Sequence, residues 1–283
     1  MDINKVGVVG CGLMGGGIAQ VCAQSGYQTI TREINNELLE KGMSAIRENW
    51  KKAVARGRMS DEDQYAALSR LTGTTDMKDF ADCDLIIEAA IEQMELKKDI
   101  FAQLDKIAPE HAILATNTSC LSIIEIASAT KRTEKVLGIH FFNPVPAMKL
   151  VEVIETISTD SAVLEAGIRF SESLGKQVVR AKDSPGFIVN LLLIPFLLDA
   201  IRAYEKGLAT KEDIDAGVKL GLNHPMGPLS LTDLVGLDTT YHIACAMYAE
   251  TADSKYAPPV LLKQMVAAGW MGRKTGKGFY DYK

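Results

Sequence analysis

Short apolar runs alternate with helix-period stretches through roughly the first two-thirds of the chain, the pattern of strands joined by crossover helices in a parallel sheet. The runs Val6-Gly7-Val8-Val9, Gln28 to Thr31, Leu85-Ile86-Ile87, Ala112-Ile113-Leu114, Val136 to Ile139, Lys149 to Ile154 and Gln177 to Arg180 predict buried strands. Between Asn35 and Leu71 the period changes. A long charged helical stretch breaks at Gly57 and restarts at Ser60-Asp61-Glu62-Asp63, a helix N-terminus, so a helical hairpin over about 36–71 is inserted between strands. After Asp183-Ser184-Pro185-Gly186 the strand signals cease, and helices are predicted near 187–206, 211–221, 227–235, 237–249 and 259–268. The expected fold class is α/β, with one domain over 1–184 and an all-α domain over 185–283.

Composition narrows this further. With 283 residues, a net charge of −5, 47% hydrophobic and 24% charged positions, the chain has ordinary globular make-up, which excludes disorder, collagen and a basic nucleic-acid-binding protein. Any anionic ligand must therefore be held by a local basic patch. Five cysteines (Cys11, Cys22, Cys83, Cys120, Cys245) without a C-x-x-C pair signal neither a disulfide framework nor a zinc site, and a cytoplasmic protein is expected. Met1-Asp2-Ile3-Asn4-Lys5 lacks a signal-peptide layout, and the longest apolar stretch, Phe187 to Leu198, is broken by Asn190 and Pro195 and is too short to span a bilayer, so no membrane partner is expected.

Candidate chemistry begins directly after the first strand, where Gly10-Cys11-Gly12-Leu13-Met14-Gly15 opens a helix that stops at Gly26. In a strand–turn–helix unit, Gly10 permits the tight turn, Gly12 lets a pyrophosphate approach the backbone, and Gly15 allows close helix–strand packing. The helix N-terminus offers unpaired N–H groups to phosphates. Glu33 lies 18 residues beyond Gly15, near the usual place for an acid that binds the adenosine ribose and repels a 2′-phosphate, favouring NAD over NADP. Arg32 leaves two readings open, stacking on the adenine or pairing with a 2′-phosphate.

Several polar residues then follow predicted strand ends, which line the ligand crevice of an open parallel sheet. Glu88-Ala89-Ala90-Ile91-Glu92 closes one strand with Lys97 a little over a helical turn on, and Asn117-Thr118-Ser119 follows another. Glu92 and Lys97 read either as ribose contacts or as a solvated helix end. His140, at the end of a third strand and followed by Phe141-Phe142-Asn143-Pro144, has Glu152 one strand further on. A histidine oriented by a carboxylate suits abstraction of a hydroxyl proton, although a packed core histidine is compatible with the same spacing.

In order and spacing these segments, with Asp183-Ser184-Pro185-Gly186-Phe187-Ile188-Val189-Asn190, His224-Pro225-Met226-Gly227-Pro228 and Gly272-Arg273-Lys274-Thr275-Gly276-Lys277-Gly278-Phe279-Tyr280, resemble the L-3-hydroxyacyl-CoA dehydrogenases, closest to the bacterial 3-hydroxybutyryl-CoA dehydrogenases, across essentially the whole chain. The resemblance implies a Rossmann-type domain followed by a helical substrate and dimerisation domain. It implies that His140 is the catalytic base, Glu152 its orienting carboxylate, and Ser119 and Asn190 the groups that hold the substrate. It assigns Gly10, Gly12, Leu13, Met14, Gly15, Glu33, Ala89, Glu92, Lys97, Asn117, Ser119, Asn143 and Lys274 to NAD. One position departs from the family pattern: Leu191 stands where an arginine usually follows the asparagine.

The hairpin carries Arg47, Lys51, Lys52, Arg56 and Arg58 against Glu48 alone. The resemblance puts coenzyme A contacts there, with Lys52 and Arg56 the best-matched positions; a solvated charged face gives the same pattern. Trp50 either packs under the hairpin or stacks on an adenine. Apolar stripes in the C-terminal helices, such as 191–198, point to a homodimer through that lobe. The reading competes with a dehydrogenase of a free β-hydroxy acid and with a non-catalytic dinucleotide-binding protein.

Overall fold

A computed structural model describes residues 2–282; Met1 and Lys283, the outermost positions of the two expected domains, lie outside the described residues. The chain divides into two compact units, one formed by Met1–Thr118 and Ser122–Ser184, the other by Ser119–Leu121 and Pro185–Lys283. Ser119 thus belongs to the second unit, not to a first domain running unbroken to 184.

The first unit is built on β1 (Lys5–Val9), β2 (Gln28–Arg32), β3 (Leu71–Thr74), β4 (Leu85–Glu88), β5 (Ile113–Thr116), β6 (Val136–Phe141), β7 (Leu150–Glu155) and β8 (Gln177–Lys182), in the order β3-β2-β1-β4-β5-β6-β7-β8. Neighbours from β3 through to β6 run parallel, so β1 and β4 flank the switch point at which this topology opens a ligand crevice. The strands β4, β5 and β6 are buried at every position, as expected for sheet covered on both faces. Two features depart from the seven strands expected of a parallel sheet. β3 is an additional strand following the hairpin, and β7 pairs antiparallel with β6, because the eight-residue connection 142–149 is too short for a parallel crossover.

The glycine turn leads into α1 (Leu13–Gln24), and the insert is α2 (Asn36–Ala55) followed by α3 (Asp61–Arg70). Asn35 caps α2 by accepting from Leu38 N, and Ser60 caps α3 by accepting from Asp63 N. Gly42, Ile46 and Trp50, four residues apart, form the inner stripe of α2. Trp50 is fully buried in the core with α1, which settles its place as packing. A β-carbon on Gly42 would run into the Cys11 carbonyl, so the insert lies directly on the glycine turn. Also in this unit are α4 (Met94–Ile107), α5 (Ile123–Ala127) and α6 (Ser161–Ser173). Asp183 caps α5, accepting from Ile123 N and Ile124 N; burial nonetheless pushes its carboxyl above the ordinary range.

The second unit consists of α7 (Val189–Glu205), α8 (Lys211–Gly221), α9 (Pro228–Val235), α10 (Leu237–Thr251) and α11 (Val260–Ala267) around a core that includes Ile194, Leu198, Ile201, Leu229, Leu237 and Met247. Within the 191–198 stripe, Ile194 and Leu198 are spent on this core and Leu197 is also buried, leaving Leu192 exposed. Asp215 caps α9 through Leu229 N and Ser230 N. The C-terminal motif folds back over Asp233, which accepts from Phe279 N, Tyr280 N and Tyr282 Oη. Burial and the neighbouring Asp233 push the Tyr282 phenol up to about 12.

Candidate active site

At the end of β1 the backbone turns at Gly10, whose φ of +101° lies in the region open to glycine, and a β-carbon there would sit 2.8 Å from the Ala89 carbonyl oxygen. Gly15 is equally constrained, since a β-carbon would collide with the Gly10 carbonyl. Gly12 differs: it caps α1 in extended conformation, and a β-carbon would meet nothing within 4 Å. The protein itself therefore gives no reason for glycine at 12, whereas a group lying against the main chain does. The first turn of α1 contains no acid, and Gly12 supplies no side-chain cap, so its N–H groups suit an anion. Glu33 leans over the turn, accepting from Cys11 N at 2.8 Å and Ile34 N at 3.1 Å. These residues fit a dinucleotide. Arg32 is turned to the Thr75 carbonyl (Nε–O 3.3 Å). A pocket of about 420 Å³ opens beside the turn, lined by Gly12, Leu13, Glu33, Lys41, Asn49 and Asn143 among others.

Across the switch point, Glu88 closes β4 and accepts from Lys97 Nζ, Ala90 N and Thr116 Oγ1, each at 2.7 Å. Lys97 is 1% exposed and reaches Glu92 at 3.2 Å, while Thr118 Oγ1 donates to Glu92 at 2.6 Å. Lys97 is accordingly a buried ion-pair partner, and neither of the two sequence readings described it so. The sequence reading gave Glu88, Thr116 and Thr118 no role of their own. The signal was an acid closing the otherwise apolar run Leu85-Ile86-Ile87, since a carboxylate in such a strand demands partners.

His140 and Glu152 are directly opposed across the antiparallel β6–β7 ladder, and His140 Nδ1 lies 2.7 Å from Glu152 Oε2 with both side chains buried. The reversal of β7 creates this pairing, bringing its N-terminal half alongside the C-terminal end of β6. An ionised carboxylate only accepts, so a hydrogen bond to the Glu152 carboxylate places the imidazole proton on Nδ1 and leaves the lone pair on Nε2. Asn117 Oδ1 accepts from Phe141 N at 2.8 Å, fastening the end of β5 to β6. His140 also packs on Phe142, with ring centroids 4.5 Å apart.

Ser119, Asn190 and Lys274 stand on the second unit. Asn190 Nδ2 donates to the Ser119 carbonyl at 3.3 Å. Leu191 packs against the apolar core of that unit, which accounts for an aliphatic residue there. Lys274 is paired with Asp238. Burial alone would raise the Asp238 carboxyl, but hydrogen bonds from Lys274 and the backbone N–H groups at the start of α10, with the Lys274 charge, together outweigh it and hold the group below the ordinary range. On the insert, the expected excess of five cations over Glu48 is smaller: Arg47 pairs with Glu40, and Lys52 lies 3.6 Å from Glu48. Lys51, Arg56 and Arg58 form no ion pair among the described residues.

Comparison with known proteins adds to this geometry. The family profile described as 3-hydroxyacyl-CoA dehydrogenase, NAD binding domain, matches residues 5–184, and that of its C-terminal domain matches 186–282. The 3-hydroxybutyryl-CoA dehydrogenase of Mycobacterium tuberculosis is 48% identical over 282 residues, covering 99% of each chain. The mitochondrial hydroxyacyl-coenzyme A dehydrogenase of Homo sapiens is 44% identical over 288 aligned residues, covering 99% of this chain and 92% of its own. A crystal structure of (S)-3-hydroxybutyryl-CoA dehydrogenase from Ralstonia eutropha superposes with a TM-score of 0.95 at 42% identity, covering 100% of both chains.

Proposed function

The chain belongs to the 3-hydroxyacyl-CoA dehydrogenase family, and from that premise we propose that it interconverts (S)-3-hydroxybutyryl-CoA and acetoacetyl-CoA, with NAD preferred over NADP and His140–Glu152 as the acid–base pair. The observation that carries the reading is the 2.7 Å contact between His140 Nδ1 and Glu152 Oε2, in a chain whose relatives bear that dehydrogenase name. Gly10, Gly12, Leu13, Met14 and Gly15 would hold the pyrophosphate, Glu33 the adenosine ribose, and Ala89, Glu92, Lys97, Asn117, Ser119, Asn143 and Lys274 the remainder. When bound, the nicotinamide exchanges hydride with C3 of the substrate.

The remaining chemistry belongs to side chains. Nε2 of His140 takes the 3-hydroxyl proton in oxidation and returns it in reduction, while Glu152 fixes the tautomer and stabilises the imidazolium. Ser119 and Asn190 offer hydrogen bonds to the substrate oxygens, the arrangement that stabilises a developing alkoxide. Glu33 favours NAD because its carboxylate, held by two backbone N–H groups, would repel a 2′-phosphate. Lys52 and Arg56 would grip coenzyme A phosphates. Exposed Leu192, Leu220 and Leu222 support pairing with a second copy through the helical unit. A reducing cytoplasm suits five cysteines that stand as thiols. Among the described residues, no helix is long and apolar enough to cross a membrane.

The test is oxidation of NADH and of NADPH with acetoacetyl-CoA, a longer 3-oxoacyl-CoA and free acetoacetate. Turnover is expected with NADH and the thioesters, and free acetoacetate should be a poor oxidant. Preference for the free acid would refute the substrate assignment, and NADH binding without turnover of any of the three would refute catalysis.

A further inference from the structure

We propose that Lys176 is a positioning residue for the substrate: from outside the pocket beside the glycine turn, its ammonium holds the turn 144–148, which forms one wall of that pocket. The inference rests on the proposed reading that an acyl-CoA is the substrate. Lys176 follows Gly175 in the short connection between α6 and β8, and its Nζ donates to the Val145 carbonyl at 2.6 Å and to the Met148 carbonyl at 2.8 Å. It forms no ion pair among the described residues. Burial lowers the pKa of its ammonium, a cost that a fully solvated lysine does not bear. A lysine kept only for solubility would leave this charge in water.

The wall needs such a hold. Between β6 and β7 the segment 142–149 is neither helix nor strand, and Pro144 O accepts from Ala147 N and Met148 N, both at 3.0 Å, closing a single turn. Among residues 143–149 only Val145 is buried. It rests on α1, where a β-carbon on Gly17 would lie 2.9 Å from the Val145 side chain. The turn is thus stopped by α1 and tethered by Lys176. Asn143 to Pro146 line the pocket whereas Lys176 does not, so the lysine acts through the wall and not on the ligand. Another wall is Lys41, Ala45 and Asn49 of α2, and Lys52 and Arg56 continue that stripe at the next helical steps, so the pocket leads toward the residues proposed to grip coenzyme A. Where the turn sits therefore decides how well the thioester arm fits. The glycine turn and Glu33 depend instead on β1, β2 and α1, and His140 and Glu152 on the β6–β7 register, none of which bonds to the Lys176 ammonium.

The experiment compares the full chain with its Lys176→Met and Lys176→Arg variants, measuring kcat and KM for acetoacetyl-CoA at saturating NADH, the NADH dissociation constant and Tm. Methionine keeps most of the stem, removes the donors and the charge, and leaves no carboxylate unpaired. Lys176→Met should raise the KM about tenfold, the size of one lost charge-assisted hydrogen bond, with kcat within twofold and NADH affinity within threefold of the unmodified protein. Lys176→Arg keeps a charged donor and should bring the KM back to within about threefold. A lysine that served stability alone would lower Tm and leave KM unchanged. Should Lys176→Met fail to fold, Lys176→Gln, neutral and one atom shorter, carries the test with a rise in KM of threefold or more. A KM within twofold in the folded neutral variant, a kcat that falls while KM stays, or equal losses of NADH and substrate affinity would each overturn the positioning role. An unmodified protein that preferred free acetoacetate would instead overturn the functional reading, and the inference with it.

Discussion

Replacing Glu152 by Gln tests the acid–base pair with the least disturbance, because the side chain keeps its size and its amide oxygen can still accept from His140 Nδ1. The carboxylate charge opposite the imidazolium is what disappears. Hydrogen bonds to a charged partner contribute about 1.5–3 kcal/mol. At 2.7 Å between two buried groups the contact deserves the upper part of that range. If the contribution is made only when the imidazolium forms, kcat should fall by about 40- to 150-fold, since each ~1.4 kcal/mol is a factor of ten in rate. That is less than the roughly 10²–10⁴-fold a positioned acid–base group supplies, so Glu152→Gln should retain more activity than His140→Ala. The assay is steady-state NADH oxidation with saturating acetoacetyl-CoA, alongside the NADH dissociation constant. A kcat within threefold of the unmodified enzyme, or a loss of NADH affinity matching the loss of kcat, would refute the role given to Glu152.

Gly12→Ala should leave Tm within about two degrees, because the added carbon meets nothing in the protein, yet weaken NADH at least tenfold; Gly15→Ala should fail at the level of folding, and equal behaviour of the two in thermal melts and NADH titrations would contradict the separation of ligand-facing from packing glycines. For Asp238 the folded carboxyl sits below its ordinary value, so its contribution to stability is present above the unfolded pKa of about 3.9 and is lost as pH falls through the lower folded value. Asp238→Asn should therefore flatten the acid limb of the urea midpoint against pH below about pH 4, and an unchanged limb would contradict the Lys274 pairing. Arg56→Glu should raise the KM for acetoacetyl-CoA about tenfold at low salt, the size of one lost charge-assisted phosphate contact, with kcat kept; a KM indifferent to both the substitution and salt would remove Arg56 from the substrate site.

Much of this was legible in the sequence because the strongest signals there are local. A strand that ends in glycine, a helix that starts on glycine and an acid after the next strand are all set by nearest-neighbour sterics, and Gly10, Gly15 and Glu33 stand where those rules put them. The hairpin was equally plain, since Ser60 with Asp61, Glu62 and Asp63 is a helix start in any context. β3 was not legible: Leu71-Thr72-Gly73-Thr74 is four residues with only Leu71 buried, and such a stretch is indistinguishable from a turn until β2 pairs with it. The antiparallel course of β7 was within reach, because eight residues cannot carry a crossover helix. The His140–Glu152 contact was not, as it depends on register across two strands. Nor was the burial of Lys97, which takes Glu88 and Thr116 meeting from separate strands.

The reversed strand also separates how the chemistry is held from how the ligand is shaped. Side chains on paired strands alternate between faces, so Glu152 meets the imidazole only while the ladder keeps its present parity; slipping by one would put Val151 or Val153 beside His140 and turn the acid to the far side of the sheet. The intervening segment 142–149 is under no such constraint, and its residues Asn143 to Pro146 form part of the pocket wall next to the glycine turn. Substitutions in that segment beyond Phe142, which packs on His140, and Asn143, assigned to NAD, can therefore alter the pocket wall without changing the register that holds the proton-handling pair.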